Sequence, residues 1–146
     1  TGYCSALADA GISVDSKHII SIIHSTEEGY KAVNQLLDND CDATAFFCAD
    51  DITAIGAMKA IKEHGLRIPE DVSVASIDDI DTAQYLTPSL TTAHIPLDEM
   101  GKMAAKILID RIEGGHEKHL KILFPYDIIE RKSTAAFRKI HGNPQK

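Results

Sequence analysis

The sequence predicts an α/β protein built on a parallel, helix-covered sheet, and three observations carry that expectation. Short β-branched or apolar runs alternate with segments of helical period, the order that gives parallel strands joined by helical crossovers. Capping and stop residues stand at the ends of the periodic segments. The 146 residues, 44% of them hydrophobic, describe one soluble domain of ordinary size around one core.

Residues 19–23 form a β-branched run, read as a strand, and Ser25 with Glu28 three positions on makes a capping box that opens a helix to about Leu37. Residues 43–48 read as a buried strand. Asp50 or Asp51 can cap the next helix, which runs to about Glu63 and is ended by Gly65 in a left-handed conformation. Residues 72–77 alternate into a third strand, residues 82–86 form a short helical segment, and residues 90–95 are extended up to Pro96. Residues 97–113 make the strongest helix, with Met100, Met103, Ala104, Ile107, Leu108 and Ile112 on one stripe and Gly114-Gly115 as its stop. That stripe has to be buried against something. Residues 120–129 read as a strand that Pro125 confines to an edge or a bend. Residues 3–10 with Gly11 look like the tail of a helix, so the chain is expected to start inside an element, processed or cut from something longer.

The formal charge is −7, from 15 Lys+Arg against 22 Asp+Glu. With no Trp and 5% aromatics, this composition excludes a duplex-binding surface, which needs clustered cations to displace counterions from phosphates. Residues 131–146 carry Arg131, Lys132, Arg138, Lys139 and Lys146 without an acid, which leaves the first 130 at −12. The basic tail reads as a frayed terminus. No apolar window of about 18 residues and no cationic leader with an apolar core is present, so neither a membrane span nor an export signal is expected. Cys4, Cys41 and Cys48 are odd in number and lack zinc-ribbon or CxxC spacing, which fits free thiols in a reducing compartment, with Cys48 a small core residue.

In an open parallel sheet, ligands collect beyond the carboxyl ends of the strands. Those positions hold His24 and Ser25, then Asp50 and Asp51, then Asp78 and Asp79, with Asp81 nearby. Three chemistries compete there. The aspartates can simply cap helices and complement their dipoles, the preferred role for Asp51 and Asp79. Asp50, Asp78 and His24 suit a polyol or base site, where carboxylates accept hydrogen bonds and a planar side chain covers an apolar ligand face. A magnesium site for phosphoryl transfer would use Asp50, Asp51 and Asp78, but no Lys follows a strand end. His116 and His119, spaced i,i+3 behind two glycines, read as loop residues and not as a metal site. GxSxG, Walker A and GxGxxG motifs are absent from the sequence, so neither nucleophilic catalysis nor nucleotide binding has support.

A set of ordered motifs narrows the choice: Phe47-Cys-Ala-Asp-Asp-Ile-Thr-Ala-Ile-Gly56, Gly65-Leu-Arg-Ile-Pro-Glu-Asp-Val-Ser73, Asp78-Asp79, Leu90-Thr-Thr92 and Ile129-Glu-Arg-Lys-Ser-Thr134, with Gly29-Tyr30 and Met100-Gly101. In these the chain resembles the C-terminal part of a lactose/galactose-repressor (LacI/GalR) family transcription regulator, from Gly2 to about Thr134. The resemblance implies a parallel-sheet α/β/α sandwich, the C-terminal lobe of a type I fold like that of periplasmic binding proteins, occupying residues 1–134 and followed by the basic tail, 135–146. It implies effector contacts at His24, Asp50 and Asp78, and dimer contacts at Ile55 and Leu86, whose alternative is ordinary core packing. Position 50 commonly carries Asn in the family and position 24 often Trp or Phe, so this chain departs at both.

The resemblance further implies a cytoplasmic, homodimeric regulator that is not an enzyme. It would use no cofactor or metal, bind a small effector (a sugar or a nucleobase), and reach DNA only through an N-terminal helix-turn-helix domain absent from this chain. The main alternative is an exported sugar-binding receptor of the same fold. In the family fold residues 97–119 are a crossover packed on the other lobe, so the stripe of Met100, Met103 and Ile107 is expected to be exposed, repacked or shared with a second copy.

Overall fold

The computed structural model describes residues 2–39 and 41–136. Its helices are α1 (Gly2–Asp9), α2 (Thr26–Asp38), α3 (Asp51–Glu63) and α4 (Leu97–Ile112), with 3-10 turns at Ser16–His18 and Asp81–Tyr85. Strands β1 (Ala45–Phe47), β2 (Ser73–Asp78), β3 (Thr91–His94) and β4 (Asp127–Ile129) form one sheet in the order β1-β2-β3-β4. β1, β2 and β3 run parallel, with Ala45 opposite Ser73 and Ala75 opposite Thr91. β4 returns antiparallel on β3, with Ala93 opposite Ile128. The alternation of strands and helices thus gives a parallel-dominated α/β fold.

Local chemistry sets the helix ends. Ser25 Oγ accepts from the Glu28 N–H at 3.1 Å to open α2, and Asp50 Oδ1 accepts from the Thr53 N–H at 2.6 Å to open α3. Gly65, at φ +76°, follows α3 in the left-handed conformation that a side chain would strain. α2 and α3 pack unusually closely: a Cβ on Gly29 would strike the Thr53 carbonyl, and one on Gly56 the Thr26 carbonyl. Lys59 lies 4.3 Å from the Tyr30 ring centre, and the Tyr30 hydroxyl donates to Glu63 at 2.6 Å, closing the far end of the same seam. The core beneath includes Val33, Ala57, Met58, Ile61, Val74 and Leu90.

Four expectations need correction. Residues 19–23 form no strand: they pair with no neighbour, Ile19, Ile20 and Ile23 are exposed, and a cavity of about 850 Å³ lined by Ile19, Ile20, Phe46 and Phe47 lies alongside. A β-branched run without a ladder partner keeps its backbone groups for water. β1 is short and open, with Phe47 56% exposed, because its outer edge is unpaired among the described residues. Of residues 120–129, three join the sheet, after Pro125. α1 and α4 bury no residue, so the helical cover of the sheet comes from α2 and α3. Of the stripe expected on α4, Met100 is exposed while Met103 and Ile107 are half-buried, and Leu108, Ile109 and Ile112 beside it are exposed.

Gly56→Ala tests the helix seam. It is expected to cost about 3 kcal/mol by overpacking against backbone, read as a lower urea midpoint at unchanged m; wild-type stability would show that α2 and α3 separate without penalty.

Candidate functional site

The sheet's carboxyl end gathers four aspartates, and the structure gives each a different task. Asp51, at the first turn of α3, is 0% exposed. Its Oδ1 accepts from Ser76 on β2 at 2.5 Å and from Thr92 on β3 at 2.7 Å, and its Oδ2 accepts from the Ile80 N–H at 2.8 Å. One buried carboxylate therefore joins a helix, two strands and the turn after β2, and all its donors are in place. It does not serve as a helix cap; Asp50 does.

Between Asp51's attachments at Ser76 and Ile80 lie Asp78 and Asp79, both with positive φ, +114° and +57°. Non-glycine residues in this region are uncommon and cost free energy unless held by their surroundings. The holding groups are visible. Asp79 donates its N–H to Thr92 Oγ1 at 3.3 Å and its carboxylate pairs with Arg131 at 2.6 Å and with His94 at 3.1 Å. Arg131 also donates to the Leu90 carbonyl at 2.8 Å. Asp79 is thus an ion-pair partner and not a cap. Arg131, read from sequence as part of a loose cationic end, is an internal counter-ion, while Ser133 donates to the Val74 carbonyl and accepts from the Thr91 N–H. The cations from Arg138 onward lie outside the described residues.

His24, just before α2, places Nδ1 2.5 Å from Asp50 Oδ2. The structure therefore brings His24 and Asp50 into contact, and Asp78 ends β2 at the same edge of the sheet. Burial would raise the Asp50 carboxyl, but bonds from Thr53 and His24 outweigh it and hold the group below the usual carboxylate range. Asp78 moves the other way: burial and the negative charges of Asp51 and Asp50 raise it, against a smaller pull from His24. Burial, with the same two aspartates, pushes the Cys48 thiol up to about 12.

Ile55 and Leu86 come together elsewhere, both half-buried, lining a hollow of about 330 Å³ with Met58 and Lys62. His116 pairs with Asp110 of α4 at 2.5 Å, and no cluster of three or more potential metal ligands occurs among the described residues. With Asp51 sealed by its donors, the three-aspartate magnesium site has no geometry. Sequence reasoning missed Ser76, Thr92 and Arg131, because their tasks depend on a buried partner 25 to 52 positions away. The motifs containing Thr92 and Arg131 were the available signal.

Residues 1–134 match the family model of the periplasmic binding protein-like domain, and the chain belongs to that family. The relatives within it are regulators. The HTH-type transcriptional repressor PurR of Serratia proteamaculans is 41% identical over 134 residues, 92% of this chain, and that of Escherichia coli O1:K1 is 40% identical over the same length. The chain spans 39% of the length of these curated relatives. Among solved structures, the transcriptional regulator CelR in complex with cellobiose superposes with a TM-score of 0.86 at 31% identity, over 90% of this chain and 40% of that one. A LacI family regulator from Enterococcus faecium with bound ribose gives 0.82 at 34%, over 94% and 51%. The LacI/GalR resemblance thus holds in sequence and in fold, and the named relatives are regulators and not exported receptors. No described helix is long and apolar enough to cross a membrane.

Three outcomes follow from this geometry. Asp51→Ala, which strands three donors, is expected to cost about 3 kcal/mol in thermal unfolding; a cost below about 1 kcal/mol would mean that water replaces the carboxylate. Asp78→Asn keeps a residue tolerant of positive φ and removes a charge whose folded pKa is raised. Because such a group destabilises above its folded pKa and ceases to do so below its unfolded value near about 3.9, the variant should melt higher at pH 7, with the gap closing as pH falls below about 4. Equal melting temperatures at pH 7 would refute the charge crowding. Iodoacetamide at pH 8 should label Cys4 and Cys41 in the native chain and spare Cys48, scored by peptide mass.

Proposed function

We propose that this chain is the ligand-sensing and dimerisation part of a LacI/GalR-type transcription regulator. A small effector, a sugar or a nucleobase, binds at His24, Asp50 and Asp78 and controls DNA binding by a helix-turn-helix domain outside this chain. The observation that carries this reading is the contact of His24 with Asp50 at the sheet's carboxyl end, where Asp78 ends β2, in a chain whose relatives include a repressor and regulators with bound cellobiose and ribose. Such a site has hydrogen-bonding groups for a polar ligand and no nucleophile–base pair, so the role is binding and not catalysis. The protein works in the cytoplasm.

The mechanism is population shift. An effector that bridges this lobe and an N-terminal lobe binds the closed arrangement better, and that difference is the coupling energy available to the DNA-binding domain. Residues 97–119 make the crossover: the exposed apolar residues of α4 pack on that second lobe, which accounts for a helix that buries nothing here. The hollow at Ile55 and Leu86 is part of the surface where two copies meet, apolar as an isologous contact requires.

Two experiments test this. In the full-length regulator, calorimetric titration with cellobiose, ribose and adenine should find a ligand whose affinity falls at least tenfold in Asp78→Asn, which keeps a residue tolerant of the positive φ; wild-type affinity in the variant refutes the site. Leu86→Asp should shift the full-length protein from dimer to monomer in sedimentation velocity, and an unchanged dimer would place the interface elsewhere.

A further inference from the structure

His24 Nδ1 lies 2.5 Å from Asp50 Oδ2 at the carboxyl end of the sheet. Asp50 is engaged within the protein before any ligand arrives. Its Oδ1 accepts from the Thr53 N–H at 2.6 Å and its Oδ2 contacts His24 Nδ1 at 2.5 Å, and its side chain is 12% exposed against 71% for His24. Each oxygen keeps a lone pair for a ligand, but little of the carboxylate is open to one. The imidazole is the exposed member of the pair.

We propose that Asp50 is a positioning residue for His24: it holds the ring with the proton on Nδ1, so that Nε2 is the acceptor presented to a sugar hydroxyl. An ionised carboxylate has no proton to donate, so the hydrogen in the 2.5 Å contact belongs to His24 Nδ1. In the neutral ring, Nε2 is then the lone-pair atom, on the far side of the ring from Asp50. The Thr53 N–H keeps the Asp50 carboxylate fixed beside the ring. Asp78, which ends β2 at the same sheet edge, adds a second acceptor for a polyol hydroxyl. The tautomer is a property of the free protein; the ligand half rests on the effector site proposed above.

Imidazole 15N NMR of the 146-residue chain, above the histidine titration range, tests the first half, with His24 assigned by its absence in His24→Gln. The expected spectrum has a pyrrole-type Nδ1 and a pyridine-type Nε2. The reverse tautomer in the wild-type chain overturns the proposal without recourse to any variant. Asp50→Asn keeps a good helix cap and should leave the circular dichroism unchanged while mixing the tautomers; an unchanged His24 signal in the folded variant also overturns it. For the second half, saturating D-ribose added to the full-length regulator should move the His24 Nε2 resonance and leave Nδ1 in place. An Nε2 signal that does not move overturns the polyol assignment, while the ligand-free spectrum decides the tautomer separately from the effector site.

Discussion

A carboxylate with no exposure to water survives only if donors replace its hydration, and at Asp51 the donors are the structure. Ser76, Thr92 and the Ile80 N–H come from two adjacent strands and the turn that follows one of them, and all three meet at the first turn of α3. The bonds fix how far β2 and β3 project relative to α3. They also fix the path of the chain through Asp78 and Asp79, which lies between two of the attachment points. A residue at φ +114° is retained because its flanks are held.

Around that centre the fold supplies stiffness by different means on two sides. On one, α2 and α3 meet through Gly29 and Gly56, so the two helix N-termini that carry His24 and Asp50 hold a constant separation. On the other, Arg131 and Ser133 come back after β4 to bond Asp79, Leu90, Thr91 and Val74. The last strand of the sheet is therefore latched to the residue beside Asp78.

The charges at this edge are distributed unevenly, which suits a sensor. Asp51 is sealed, Asp79 is neutralised by Arg131, and Asp50 is engaged by His24 and Thr53. The Asp78 carboxyl is raised by burial and by the charges of Asp51 and Asp50, against a smaller pull from His24.

The helices from Ser25 and Asp50, the strand at 73–78, the turn glycine Gly65 and the excursion at 97–113 were legible in the sequence, because caps, periodicity and stop residues act over three or four positions. The same reach places Asp50 and Asp78 at one sheet edge, whereas His24 belongs there in the sequence only through a strand at 19–23 that does not form, and reaches the edge by its contact with Asp50. Residues 19–23 misled for the complementary reason: β-branching favours a strand, but a strand exists only beside a partner, and none pairs there. Which aspartate caps, which is buried and which is ion-paired was decided by tertiary structure alone. Identical side chains at 50, 51, 78 and 79 differ only in the donors that folding brings from 3 to 52 residues away, and no local pattern encodes a partner at that distance.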